Sequence, residues 1–296
     1  MPENELLAAD AVELHAHFRD RSLSPVEVTR ACLDAAHALN ERFGAFCLID
    51  DERALASARL SESRYAAGEP LGPLDGIPGT VKDLVTVEGW KTLRGSLTTG
   101  EGTVDKEDAP AVSALRRAGM TFLGKTTTPE FGWKALTDNP RGDVARNPFD
   151  ERMTAGGSSG GAAVAAGLGL GVMHIGTDGG GSIRIPAGLT GTVGLKPTFG
   201  RVPAFPPSPF GTVSHLGPMT RTVVDAALML DAMAVADLRD WHVLPPPSPT
   251  PFASMLEGGV AGLRVAVSAD LGLSTCIRKS SPASRRRSRL SRRWGR

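Results

Sequence analysis

Ala and Leu alternate with Arg, Glu and Ser at helical spacing over residues 51–67, and Gly68 stands where the last turn would end, so a helix is expected there. A second start signal is Ser24-Pro25-Val26-Glu27, with a capping Ser, Pro at the first helical position and Glu three residues on; that helix should run to about Asn40. The pattern also predicts an amphipathic helix over Met1 to Phe18, helices over Asp108 to Gly119 and Thr222 to Ala236, and a small-residue helix over Gly160 to Gly171. Short apolar runs read as strands at Ala45 to Asp50, around Lys82, at Thr121 to Lys125, at Val172 to Gly176, ending at Leu195-Lys196-Pro197, and at Leu263 to Ser268. A Gly/Pro-rich turn, 72–79, leads into the strand bearing Lys82, and Leu244 to Pro251 is a proline-rich connector. The strand-helix-strand rhythm predicts an α/β fold with helices on both faces of a sheet.

Composition narrows the class. At 296 residues, 41% hydrophobic and 22% charged, the chain can bury a large core. Its longest apolar run, Ala162 to Met173, falls short of the ~20 residues that cross a bilayer. The N-terminus reads as a helix rather than a secretion signal, so a cytoplasmic protein without a membrane partner is expected. Cys32, Cys47 and Cys276 lack the spacing of a zinc site or a disulfide framework. Nine of the 33 basic residues lie in 274–296, leaving 24 against 32 acids, a body balance of −8 that gives no reason to bind nucleic acid.

The chemistry concentrates in two glycine clusters, Gly156-Gly157-Ser158-Ser159-Gly160-Gly161 and Gly176-Thr177-Asp178-Gly179-Gly180-Gly181-Ser182-Ile183-Arg184. A serine hydroxyl is a weak nucleophile until a base takes its proton. His174 and His215 have no carboxylate orienter in sequence and read as structural. Gly157-Ser158-Ser159-Gly160-Gly161 matches the GxSxG elbow, with Ser159 as nucleophile, but the preceding 147–152 segment reads as polar loop rather than the strand an elbow needs. No GK[ST] follows either cluster, which argues against a phosphate loop. Ser182 is the better nucleophile, because Gly179, Gly180, Gly181 and Ser182 itself can turn backbone N–H groups to one point as an oxyanion hole, each worth on the order of 3 kcal/mol in a dry site. Lys82, in the apolar setting Ile77 to Val81, is the candidate base, provided that burial brings its pKa down towards roughly 7–8. Ser158 would relay the proton between them.

These residues resemble the amidase signature family over about residues 5–270, together with Gly72-Pro73-Leu74-Asp75-Gly76-Ile77-Pro78, the 124–131 segment and the 194–202 segment. The resemblance implies an α/β fold with a central twisted mixed sheet, hydrolysis of carboxylic amides without metal or cofactor, and a triad of Lys82 as base, Ser158 as relay and Ser182 as nucleophile, the two serines 24 residues apart. It further implies a cis peptide bond at Gly157–Ser158, and a bracing role for Asp178 and Arg184 beside the reacting groups. The implied partner is a small-molecule amide; a homodimer is left open.

Family members are longer, and after Leu273 the composition turns to Ser and Arg without apolar period. The expected organisation is therefore a domain over 1–273, incomplete at its C-terminal end, and a non-native or disordered basic tail over 274–296. Three functions stand: an amidase; a glutaminase subunit of a glutamine-dependent tRNA amidotransferase, with its partner subunits; or an inactive truncated remnant. The segment Phe205 to Phe210 reads equally as the lining of an apolar pocket and as a rigid surface loop.

Overall fold

The computed structural model describes residues 6–264 except 246, 248 and 261. The chain divides into two units, Met1–Ala253 and Ser254–Arg296. The described residues of the second are exposed throughout; the tail 274–296 and most of the strand expected at Leu263 to Ser268 lie outside the described residues. The α-helices and strands named below all belong to the first unit.

Capping chemistry sets the helix starts. Asp10 accepts a hydrogen bond from the Glu13 backbone while the Glu13 carboxylate accepts from the Asp10 backbone, which starts α1 at Ala11 (Ala11–Asp20). This corrects the single helix expected over Met1 to Phe18, because a capping Asp favours its own turn over continuing a helix through it. The Ser24–Glu27 box opens α2, Pro25–Phe43, which runs three residues past Asn40 to a left-handed Gly44. Helix α3, Asp51–Ala67, ends at Gly68, φ 76°. Then come α4 (Pro110–Arg117), α5 (Gly160–Leu168), α6 (Arg184–Thr190) and α7 (Val223–Met233), the last capped by Thr222.

The central sheet has six strands: β1 (Phe46–Ile49), β2 (Pro78–Lys82), β3 (Thr121–Thr126), β6 (Met173–Asp178), β7 (Val193–Gly194) and β8 (His215–Thr220), in the order β1-β3-β2-β6-β8-β7. β2 runs parallel to β3 and β6, whereas β1, β8 and the short β7 run antiparallel to their neighbours, so the sheet is mixed, as expected. Its middle strands are buried on both faces, and helices cover both. Strand β8 was not foreseen. It pairs with β6 over its whole length despite carrying Gly217 and Pro218, residues that read as turn formers in isolation.

A separate hairpin, β4 (Arg146–Asn147) with β5 (Asp150–Thr154), replaces the loop expected at 147–152. Asn147 makes its turn, its side-chain carbonyl accepting from the Phe149 N–H at 2.9 Å.

The register sets the site. Thr80 pairs with His174 and Val81 with Ile175, and alternation then puts Thr80, Lys82, His174 and Gly176 on one face, with Val81, Met173 and Ile175 on the other. The first face is small because α5 lies close to it. Ala162 and Ala163 of α5 share a small buried cluster with Ile183, Ala187 and Met219. A side chain at Gly161 would meet the Ala45 carbonyl oxygen at 2.5 Å, so glycine there permits the approach.

Candidate active site

Lys82 is the last residue of β2, and its side chain is fully buried. Its Nζ lies within hydrogen-bond distance of three hydroxyls, Ser158 Oγ at 2.7 Å, Ser159 Oγ at 2.8 Å and Thr177 Oγ1 at 2.8 Å. Burial holds the amine well below the usual lysine range, opposed only by the negative charge of Asp178. A neutral amine has two N–H groups and one lone pair, which matches three hydroxyl neighbours.

The two adjacent serines are not equivalent. Ser159 Oγ donates its proton to the Thr177 carbonyl at 3.1 Å and accepts from the Thr177 N–H at 3.1 Å, so towards Lys82 it can only accept. The Ser158 hydroxyl has no other hydrogen-bond partner among the described residues, so its proton is free to point at the lysine lone pair. Ser158 also lines an open cavity of about 350 Å³, which Ser159 does not reach. The β5–turn–α5 connection does supply a strand before the GxSxG match, contrary to the expected loop. That strand is an exposed hairpin outside the main sheet, and Ser159 is buried against Thr177 rather than presented at a strand end.

The peptide bond Gly157–Ser158 is cis, as the resemblance implies. Gly157 has no room for a side chain: a Cβ would fall 2.6 Å from the Leu136 carbonyl oxygen. Ser182 lies where the turn after β6 enters α6, half-buried, on the floor of the cavity with Ser158, Gly179 and Gly180. Its carbonyl accepts from the Ser159 N–H at 3.1 Å, tying the two glycine clusters together, while its hydroxyl is not hydrogen-bonded to Ser158 or any other described residue. The structure thus brings Ser158 and Ser182 to one cavity, with Lys82 buried behind Ser158 and bonded to it.

Asp178 organises the glycine turn. Its buried carboxylate accepts from the N–H groups of Gly181 (2.7 Å) and Ile183 (3.1 Å) and takes a two-pronged pair from Arg184, both contacts at 2.9 Å. Those donors hold it below the ordinary carboxylate range even though burial alone would raise it. The expected set of oxyanion donors changes here: the Gly181 N–H is committed to Asp178, whereas those of Gly179, Gly180 and Ser182 have no partner among the described residues. Gly180 stands in open space, with nothing within 4 Å of a would-be Cβ.

Neither histidine is a base here. His174 is fully buried, bonded to Thr80 at 2.9 Å, and burial pushes its pKa down to about 3. His215 Nδ1 bonds the Val213 and Asp178 carbonyl oxygens at 2.8 and 3.1 Å.

Several contacts escaped the sequence reading. Ser159 and Thr177 hold Lys82; their adjacency to Ser158 and Asp178 inside the motifs was the available signal. Lys125 pairs with Asp83, the neighbour of Lys82, at 2.8 Å, both nearly without water contact. Trp133 stacks on Phe210, ring centres 5.3 Å apart and planes 10° apart, as one wall of the cavity. The segment Phe205 to Phe210 lines a neighbouring cavity while its three prolines, Pro206, Pro207 and Pro209, are exposed, so both expected readings describe it.

Comparison with known proteins points the same way. The family described as Amidase matches residues 27–287. The chain is 42% identical over 269 residues to the A-type subunit of the glutamyl-tRNA(Gln) amidotransferase of Acidothermus cellulolyticus, covering 90% of this chain and 53% of that protein. It is 41% identical over 274 residues to an acylamidase of Rhodococcus erythropolis, covering 92% and 57%. Among solved structures, a bacterial aryl acylamidase described as one of the amidase signature enzymes superposes with a TM-score of 0.89 at 30% identity, over 97% of this chain and 59% of that one. The chain spans about half the length of the curated relatives it matches. Among the described residues, no helix is long and apolar enough to cross a membrane.

Proposed function

The chain belongs to the amidase signature family, and from that footing we propose that it hydrolyses carboxylic amides to acid and ammonia or amine through an acyl-enzyme on Ser182. The observation that carries this reading is a fully buried Lys82 amine, its pKa held well below the usual lysine range by burial, 2.7 Å from the hydroxyl of Ser158, which lines an open cavity together with Ser182.

Ser182 Oγ attacks the amide carbonyl as its proton passes to Ser158 and the Ser158 proton passes to the Lys82 lone pair. Closing that relay requires Ser158 and Ser182 to come within hydrogen-bond reach once substrate fills the cavity. Charge developing on the carbonyl oxygen meets the unengaged N–H groups of Gly179, Gly180 and Ser182, a turn that the Asp178–Arg184 pair holds in place. Collapse of the tetrahedral intermediate breaks the C–N bond, and the proton stored on Lys82 returns through Ser158 to the leaving amine. Water then attacks the acyl-enzyme with the same relay as base, releasing the acid and restoring Ser182.

Replacing Ser182 by Ala should abolish amide turnover, and Lys82→Met should lower it by about 10²–10⁴-fold. Full turnover in the Ser182→Ala protein, measured by product release, would refute the assignment.

The 42% identity to an amidotransferase component supports a second reading, a glutaminase that passes ammonia to partner subunits. Glutamine as the preferred substrate over simple acyl amides in a side-by-side kcat/KM comparison would favour it.

A further inference from the structure

Beside the catalytic cavity lies a smaller one of about 90 Å³, and the two adjoin at Thr177, Phe210 and Ser214. Thr177 is also a hydrogen-bond partner of Lys82, so the small cavity begins one side chain away from the reacting groups. Its walls are apolar, chiefly Phe131, Phe205 and Phe210, with one cation among them, Arg94.

Arg94 is half-buried, and its guanidinium makes a single long hydrogen bond, Nη1 to the Leu84 carbonyl at 3.5 Å. No carboxylate pairs with it among the described residues. A guanidinium carries five N–H donors, so most of this one's capacity is left open to a ligand in the cavity. A second polar group lines the same cavity: Thr86, 8% exposed, whose hydroxyl makes no hydrogen bond among the described residues.

The backbone agrees. Arg94 and Phe131 are two of the three non-glycine residues with positive φ among the described residues, at 55° and 50°, and the Phe131 N–H donates to the Arg94 carbonyl at 2.8 Å. Non-glycine residues in that region persist where surrounding structure forces them, and ligand clamps are a recurrent setting.

We propose that Arg94 anchors a carboxylate on the substrate, so that this chain prefers amides bearing an anionic end a short reach from the scissile carbonyl. The proposal rests on the amide-hydrolase reading for its catalytic consequence, though not for the binding itself. A planar guanidinium presents parallel donors that match the two oxygens of a carboxylate in a paired, charge-assisted contact. The small volume limits the anchored part to a short aliphatic acid rather than an aryl one.

The test uses the full chain and two probes, succinamic acid and its uncharged analogue butyramide, with succinate as a binding probe. On the Ser182→Ala protein, calorimetric titration should detect succinate, and adding Arg94→Asn should weaken it by about tenfold or more, Asn being chosen because it tolerates positive φ. Arg94→Lys, which keeps the charge, should recover part of the affinity. In turnover, the kcat/KM preference for succinamic acid over butyramide should shrink at least tenfold in Arg94→Asn, through KM rather than kcat. Succinate that fails to bind, or binds equally with Asn at 94, overturns the proposal. Arg94-dependent binding without hydrolysis of either amide would instead leave the anchor standing and remove the amidase reading.

Discussion

Lys82 is an amine with no water contact whose chemistry depends on being unprotonated, which makes pH the natural probe of its role. Because its folded-state pKa is lowered, kcat/KM for an amide should rise with pH through that lowered value and collapse on the acid side, where the amine carries a proton and cannot accept another. The same shift has a stability sign. Between the lowered value and the usual 10.5 the unfolded chain binds a proton that the folded chain does not, so the Lys82 contribution to stability rises with pH across that window. An acid limb that survives unchanged in a residually active Lys82→Arg protein would show that another group titrates. Residue-scale reading of the sequence singled out Ser158 and Ser182 because they sit inside short glycine-rich motifs, and Lys82 because of its apolar setting. It missed that Ser159 and Thr177 complete the cradle of the amine, because hydroxyl direction follows from which backbone groups lie nearby, and motifs do not encode that.

At the scale of elements, the buried pair Lys125–Asp83 ties β3 to the end of β2 immediately behind Lys82. Lys125→Met should leave the Asp83 carboxylate buried and unpaired, costing about 3–5 kcal/mol, and a double variant with Asp83→Leu should recover much of that loss. Urea midpoints of the two variants decide it; equal midpoints for parent and Lys125→Met would show that the pair does not hold the strands. Helices were largely legible in sequence where capping is local, as at Ser24–Glu27 and Gly68. Strand β8 was not, since Gly217 and Pro218 read as a turn and only its long-range pairing with β6 makes it a strand. The 146–154 hairpin escaped for a related reason: its residues are polar and mostly exposed, so no apolar alternation announces it.

Across the whole molecule, a mixed sheet brings the start of α5 and the turn after β6, which carry Ser158 and Ser182, to one cavity, and sets the end of β2, which carries Lys82, directly behind Ser158. Sequence positions 82, 158 and 182 meet because β2 and β6 are parallel neighbours, with α5 set close over their shared face by its small residues. The chain spans about half the length of the curated relatives it matches, so whether this half assembles a working nucleophile is the decisive question. Exposure to a fluorophosphonate probe followed by intact mass spectrometry, on the parent chain and on Ser182→Ala, answers it directly. A single adduct on the parent that is absent from the variant is the expected result; no adduct on folded parent protein, or an equal adduct on both, would contradict Ser182 as the activated nucleophile.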